Sequence, residues 1–139
     1  MSFESRAEAA LRRRGGRITP ARRELLQVIA KAPRPMAPRE LHRALLKRGV
    51  RVDRVSVYRN VAALLELGLL HRVVGSTAVR PCAEAEQRCH HAIVCAACGS
   101  AREFHSVALE KALLEVRRST RYRVLGHVIE LSGLCQRCR

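Results

Sequence analysis

The stretch that decides the fold reads Arg54-Val-Ser56-Val57-Tyr58-Arg59-Asn60-Val61-Ala-Ala-Leu64-Leu65-Glu-Leu-Gly68-Leu69-Leu-His71-Arg-Val-Val-Gly75-Ser76-Thr77-Ala-Val79. Val57, Val61, Leu64 and Leu65 recur at helical spacing, and Gly68 supplies the stop of that helix. Beyond it, Leu69–Val74 and Ala78–Val79 flank Gly75-Ser76-Thr77, which reads as a small hairpin. Two shorter helices are predicted upstream. Thr19-Pro20 sets a capping hydroxyl before a proline at the first helical position, with Leu25, Leu26, Val28 and Ile29 as the apolar face. The prolines of residues 32–38 end that helix. The next starts near Pro38, turns Leu41, Ala44, Leu45 and Leu46 inward, and stops at Gly49. Three helices followed by a hairpin is the layout of a winged helix-turn-helix, whose third helix enters the major groove.

Charge agrees with that layout. The 139 residues carry 27 Lys plus Arg against 12 Asp plus Glu, a formal net charge of +15. Residues 1–80 hold 18 basic and 6 acidic side chains, residues 81–139 hold 9 and 6. The N-terminal part is therefore the expected polyanion binder, with nucleic acid ahead of acidic membrane. Apolar residues at 47% suffice for a core. Aromatics at 3% argue against a single-strand binder that stacks bases. No apolar run approaches the roughly 18–20 residues that span a bilayer, and the N-terminus lacks a signal-peptide apolar core. The expectation is a cytoplasmic protein with no membrane partner, in which six cysteines read as metal ligands or reactive thiols before disulfides.

From residue 81 the pattern changes, which divides the chain into a winged-helix domain at 1–80, a hinge at 81–89 and a second domain at 90–139. The second domain reads as a short strand at His91–Val94, a second at Ala101–Phe104, a helix at about Ser106–Arg118 and a strand at Tyr122–Leu131. Two knuckles, Cys95-x-x-Cys98 and Cys135-x-x-Cys138, supply four thiolates for a structural zinc. A closed tetrahedral site of this kind stabilises the fold and performs no chemistry. The remaining cysteines, Cys82 and Cys89, sit near histidines. In the run Cys89-His90-His91, alternation along a strand turns Cys89 and His91 one way and His90 the other, toward two different sites.

These residues carry a resemblance. The chain resembles the ferric-uptake-regulator (Fur) family over essentially its whole length. The matching segments are Arg17-Ile-Thr-Pro-Ala-Arg22, Val57-Tyr58-Arg59-Asn60, Glu66-Leu-Gly68-Leu, His90-His91-Ala-Ile-Val-Cys95-Ala-Ala-Cys98-Gly99, Glu103-Phe104 and His127-Val-Ile-Glu-Leu-Ser-Gly-Leu-Cys135. The resemblance implies an α+β protein, a winged helix followed by a small α/β dimerisation domain with the four-cysteine zinc site. It also implies a homodimeric, metal-dependent repressor on a double-stranded operator. Carried over by position, the family's regulatory metal site falls on His71, Cys82, His90 and Glu103, and its additional site on Cys89, His91, Glu110 and His127. The spacings from His71 to Cys82 and from Cys95 to Glu103 resemble the zinc-uptake-regulator (Zur) branch. Relatives often carry a longer histidine run, but here Ala92 cannot coordinate, which leaves a mixed sulfur, nitrogen and oxygen set. Thiolate favours zinc over manganese or ferrous iron, so the expected cofactor is Zn²⁺, one structural and one or two regulatory per chain. His105 is a possible substitute ligand but reads better as a surface histidine, as does His42.

At the start of the third helix Ser56, Tyr58, Arg59 and Asn60 can meet base edges. By resemblance Tyr58 and Arg59 lead, and Arg17 takes the minor-groove position. Arg12, Arg13, Arg14, Arg22, Arg23, Arg51 and Arg54 are phosphate candidates. The expected function is a zinc-responsive repressor on an inverted repeat. The alternatives are an iron-, manganese- or peroxide-responsive relative and a metal-independent architectural DNA binder. An enzyme is not expected: Pro81-Cys82-Ala-Glu-Ala fails the deaminase pattern, and no HExxH, nucleophile elbow or phosphate loop occurs. No small-molecule substrate other than the metal ion is implied.

Overall fold

A computed structural model describes residues 1–83, 91–125 and 127–139. The chain divides into two compact units, Met1–Gln87 and Arg88–Arg139. The first holds helices α1 (Phe3–Arg13), α2 (Pro20–Lys31), α3 (Pro38–Lys47) and α4 (Arg54–Glu66), then strands β1 (Leu70–Arg72) and β2 (Val79–Pro81). Local chemistry sets each helix start. Ser2 accepts from the Ser5 N–H, Thr19 from Arg22 and Asp53 from Ser56, each an orphan donor of the first turn. Helix α3 has no capping hydroxyl at Ala37; instead the Glu40 carboxylate accepts from the Ala37 N–H at 2.7 Å. Arg34 at 2.6 Å is the main reason the Glu40 carboxyl lies below the usual carboxylate range. Gly49 and Gly68, at φ of 76° and 69°, follow α3 and α4 in the left-handed conformation that favours glycine.

The core of this unit joins Ala7 and Leu11 of α1, Leu25, Leu26 and Ile29 of α2, and Leu41 and Leu45 of α3. Val57, Val61 and Leu64 of α4, Leu70 and Val79 complete it. β1 and β2 pair antiparallel with His71 opposite Arg80, and Met36 adds an isolated antiparallel bridge to Val79. Two readings change here. Four helices, not three, precede the hairpin: Ser2 caps α1, whose Ala7, Ala10 and Leu11 are buried. Leu46 is half exposed, because it lies off the stripe of α3 that buries Pro38, Leu41 and Leu45. Leu41→Ala is expected to lower the stability of the first unit by about 2–5 kcal/mol, read by urea unfolding.

The second unit contains β3 (His91–Cys95), β4 (Ala101–Phe104), α5 (Val107–Thr120) and β5 (Ile129–Gly133). β3 is central, antiparallel to β4 and parallel to β5, with Ala92 opposite Glu103 and Cys95 opposite Gly133. A parallel partner needs a crossover, and β4 and α5 fill it. The last strand is shorter than the expected Tyr122–Leu131, because pairing with β3 begins at Ile129. Among the described residues of this unit, His91, Ala92 and Cys95 are buried. Val107, Leu114, Val116, Tyr122, Leu125 and Leu131 stay exposed. Among the described residues no helix is long and apolar enough to cross a membrane.

Candidate metal centre and nucleic-acid interface

The parallel register of β3 and β5 brings both cysteine knuckles to the same end of the sheet. Cys95 closes β3, and its carbonyl accepts from the Gly99 N–H at 2.9 Å in a turn that Gly99 permits at φ 74°. Ala96 N–H donates to the Gly133 carbonyl at 2.8 Å, tying the first knuckle to the end of β5. The sulfurs of Cys95, Cys98, Cys135 and Cys138 all lie within 4.8 Å of one another. Cys98 Sγ and Cys135 Sγ are 3.8 Å apart. That is about the edge of a tetrahedron with Zn–S bonds of ~2.3 Å, and far beyond a disulfide bond. The donor set fits a structural zinc.

The metal-free thiols are not equivalent. Backbone N–H groups of Cys98 and Cys135 hold the Cys95 thiol down at about 6. Cys135 is lowered, chiefly by its bond with Cys138, and Cys138 is pushed up to about 12 by Cys135 and Cys98. A thiolate is therefore ready at Cys95 near neutral pH, and zinc binding would displace the proton kept on Cys138.

In the first unit, His71 on β1 and Cys82 just after β2 bring an imidazole nitrogen and a sulfur within 4.8 Å of each other. The hairpin explains this: His71 pairs with Arg80, and the Cys82 N–H donates to the Leu69 carbonyl at 2.9 Å. Cys82 is buried and His71 half-buried. Arg6 of α1 donates to the Cys82 carbonyl and, at 3.0 Å, to that of Ala83. This clamp escaped the sequence reading, although Ser2 ahead of an alanine-rich run would have marked the helix that carries it. Glu103 lies on β4 of the second unit, half-buried and opposite Ala92. His90 and Cys89 lie outside the described residues.

Of the expected additional set, His91 and His127 meet, with Nε2 atoms 3.1 Å apart and stacked rings. His91 is fully buried, and its ring also lies 5.6 Å from that of Phe104. Glu110 and His127 line one cavity of about 340 Å³ with Leu113, Leu114 and Arg117. A Glu110 carboxylate oxygen also lies 2.8 Å from His105 Nε2, so His105 is a partner of an expected ligand. His42 likewise has a defined place, bonding the Val52 carbonyl at 2.9 Å.

Helix α4 buries Val57, Val61 and Leu64 and leaves Arg54, Val55, Tyr58 and Arg59 exposed. Arg17 is exposed as well. Ser56 donates its N–H and its hydroxyl to the two carboxylate oxygens of Asp53, both at 2.7 Å, which holds that carboxyl below its usual range. Asn60 bonds inward, to Ser56 and Arg22. Arg12 and Arg23 pair with Glu8, and Arg14 with Glu66. Exposed pairs of this kind contribute about 0–1 kcal/mol, so a phosphate can displace them.

The model of the ferric uptake regulator family matches residues 13–132. The ferric uptake regulation protein of Neisseria gonorrhoeae is 28% identical over 133 residues, 94% of this chain and 92% of that protein. The zinc uptake regulation protein of Mycobacterium tuberculosis (strain CDC 1551 / Oshkosh) is 33% identical over 103 residues, 72% of this chain and 77% of that protein. Among solved structures, a zinc uptake regulator complexed with zinc and DNA matches with a TM-score of 0.81 at 24% identity. That match covers 97% of this chain and 91% of the other, and is a likeness of fold.

Proposed function

We propose, because this chain belongs to the ferric uptake regulator family, that it is a zinc-responsive repressor that binds an inverted-repeat operator as a homodimer. Its family makes it a transcriptional regulator that works through metal-dependent DNA binding, and not an enzyme. The observation that carries the choice of zinc is the His71–Cys82 pair: a buried sulfur beside an imidazole nitrogen suits zinc better than iron or manganese. With His90 and Glu103 it makes the regulatory set. His71 and Cys82 belong to the first unit and Glu103 to the second, so one ion held by both would favour one orientation of the DNA-reading heads. Cys89, His91, Glu110 and His127 form the additional zinc site, supported by the contact of His91 with His127.

The reading assigns residues 1–80 to DNA, 81–89 to the hinge, and 90–139 to dimerisation and metal. Tyr58 and Arg59 read bases in the major groove, Arg17 reaches the minor groove, and Ser56 and Asn60 lie beside them on α4. The exposed apolar side chains of α5 and β5 support a second copy as the partner: Val107, Leu114, Val116 and Leu131 are each about half exposed. The test is anisotropy of a labelled operator, obtained by selection from random duplex, against buffered free zinc. Binding is expected to rise with free zinc while the four-cysteine site stays filled throughout. Equal affinity in chelator and in zinc overturns the regulatory reading.

A further inference from the structure

The start of α2 and the first half of α4 are joined by side chains. The Arg22 guanidinium donates from Nε to the Asn60 side-chain oxygen at 2.5 Å and from Nη1 to the Arg17 carbonyl at 2.6 Å. Asn60 donates from its amide nitrogen to the Ser56 carbonyl one turn back, at 2.8 Å. Both side chains are half-buried. Gly16 and Thr19 lie close to Arg22, and Arg22 and Asn60 line a cavity of about 480 Å³. Thr19 caps the Arg22 N–H at 3.2 Å, and a Cβ added at Gly16 would stand 3.2 Å from Arg22 Nη1 and 3.0 Å from the Leu11 carbonyl oxygen. An asparagine that reads adenine offers its oxygen and its amide together to one base. In Asn60 the oxygen already accepts from a cation, while Arg59 and Tyr58, one and two residues away, are exposed.

We infer that Arg22 and Asn60 form a brace that sets the Arg17 backbone and the Tyr58–Arg59 turn of α4 at a fixed spacing for duplex DNA. They are positioning residues: they act through Arg17, Tyr58 and Arg59 and touch no base. The inference rests on the proposed DNA-binding function and adds what holds the reading residues in place. One charge-assisted hydrogen bond from Arg22 to Asn60 on α4 and a second to the Arg17 carbonyl reduce the relative freedom of these segments before DNA arrives.

The experiment uses the full zinc-loaded chain and the selected operator, with Asn60→Ala, Arg22→Gln and the double variant. Each single change is expected to weaken binding about tenfold, and the double no more than either alone, since both remove one network. The ranking of single-base operator variants and the salt dependence are expected to stay as in the wild type. Additive losses, a relaxed preference at one base pair with Asn60→Ala, or a salt slope reduced by about 1 with Arg22→Gln would each mean direct contact and overturn the brace. A wild-type measurement covers variants that fail to fold. The Arg22 Nε–H is expected to exchange slowly with solvent in the DNA-free protein, and fast exchange there overturns the brace by itself. Absence of zinc-dependent binding by the wild type overturns the proposed function, and with it the purpose assigned to the brace, whatever the exchange result.

Discussion

Cys135→Ser is expected to remove one zinc per chain and to unfold the second unit while the first keeps its helices. The reason is the poverty of that unit's own core. Among its described residues only His91, Ala92 and Cys95 are buried, and none of those described in α5 is. Burial cannot replace the metal there. A structural zinc of this kind contributes on the order of 10–16 kcal/mol in small zinc-finger peptides, which exceeds the total stability of many domains. Loss of one thiolate also removes the tie between the knuckles at the ends of β3 and β5. Metal analysis with amide hydrogen exchange checks this: exchange in β3 and β5 should become fast, and in α2 to α4 stay slow. A variant that keeps its zinc count and its protection would refute a structural role. Acid acts on the same site. The Cys95 thiol lies well below the ordinary thiol value, so its thiolate persists down to about pH 6. Below that the Cys95 thiolate takes up a proton, and zinc uptake by the metal-free protein is expected to weaken as pH falls through 6, read by competition with a chromogenic chelator.

Cys82→Ser is expected to abolish the zinc-dependent gain in operator affinity and leave the four-cysteine zinc in place. Serine keeps the size of the side chain but offers a neutral hydroxyl where zinc prefers a thiolate. Couplings between an effector and a second ligand run about 5–150-fold, and that factor should fall to about one. His71→Ala should behave alike, because the imidazole and the sulfur are within 4.8 Å of each other. The comparison with Cys135→Ser keeps the two sites apart: one variant loses the response and keeps the fold, the other loses the fold of a unit. A full zinc response in both Cys82→Ser and His71→Ala would move the regulatory site elsewhere.

Much of the fold could be read locally. Thr19-Pro20 and Gly68 punctuate helices because capping and left-handed geometry depend on few neighbours. The cysteine knuckles could be read because zinc needs four donors and a tight turn supplies two at a time. α1 was harder: its apolar face is mostly alanine, and alanine marks a buried face weakly until a partner such as α2 is known. The reach of the last strand could not be read either, since a strand is as long as its partner allows, and β3 begins to pair at Ile129.

The sequence by itself determined the division of labour: a basic winged-helix half, a cysteine-rich half, and the residue types able to hold zinc or read DNA. Charge, helix caps and ligand spacing are properties of neighbouring residues, and a linear reading reaches them. The tertiary structure alone decided how each side chain is used. Parallel pairing of β3 with β5 puts two knuckles forty residues apart at one end of a sheet, and the β1–β2 register sets His71 beside Cys82. The shared core of α2, α3 and α4 turns Arg22 and Asn60 toward each other and leaves Tyr58 and Arg59 facing outward. Such uses depend on what the chain brings near in space, and hydrogen bonds and coordination act only at that range.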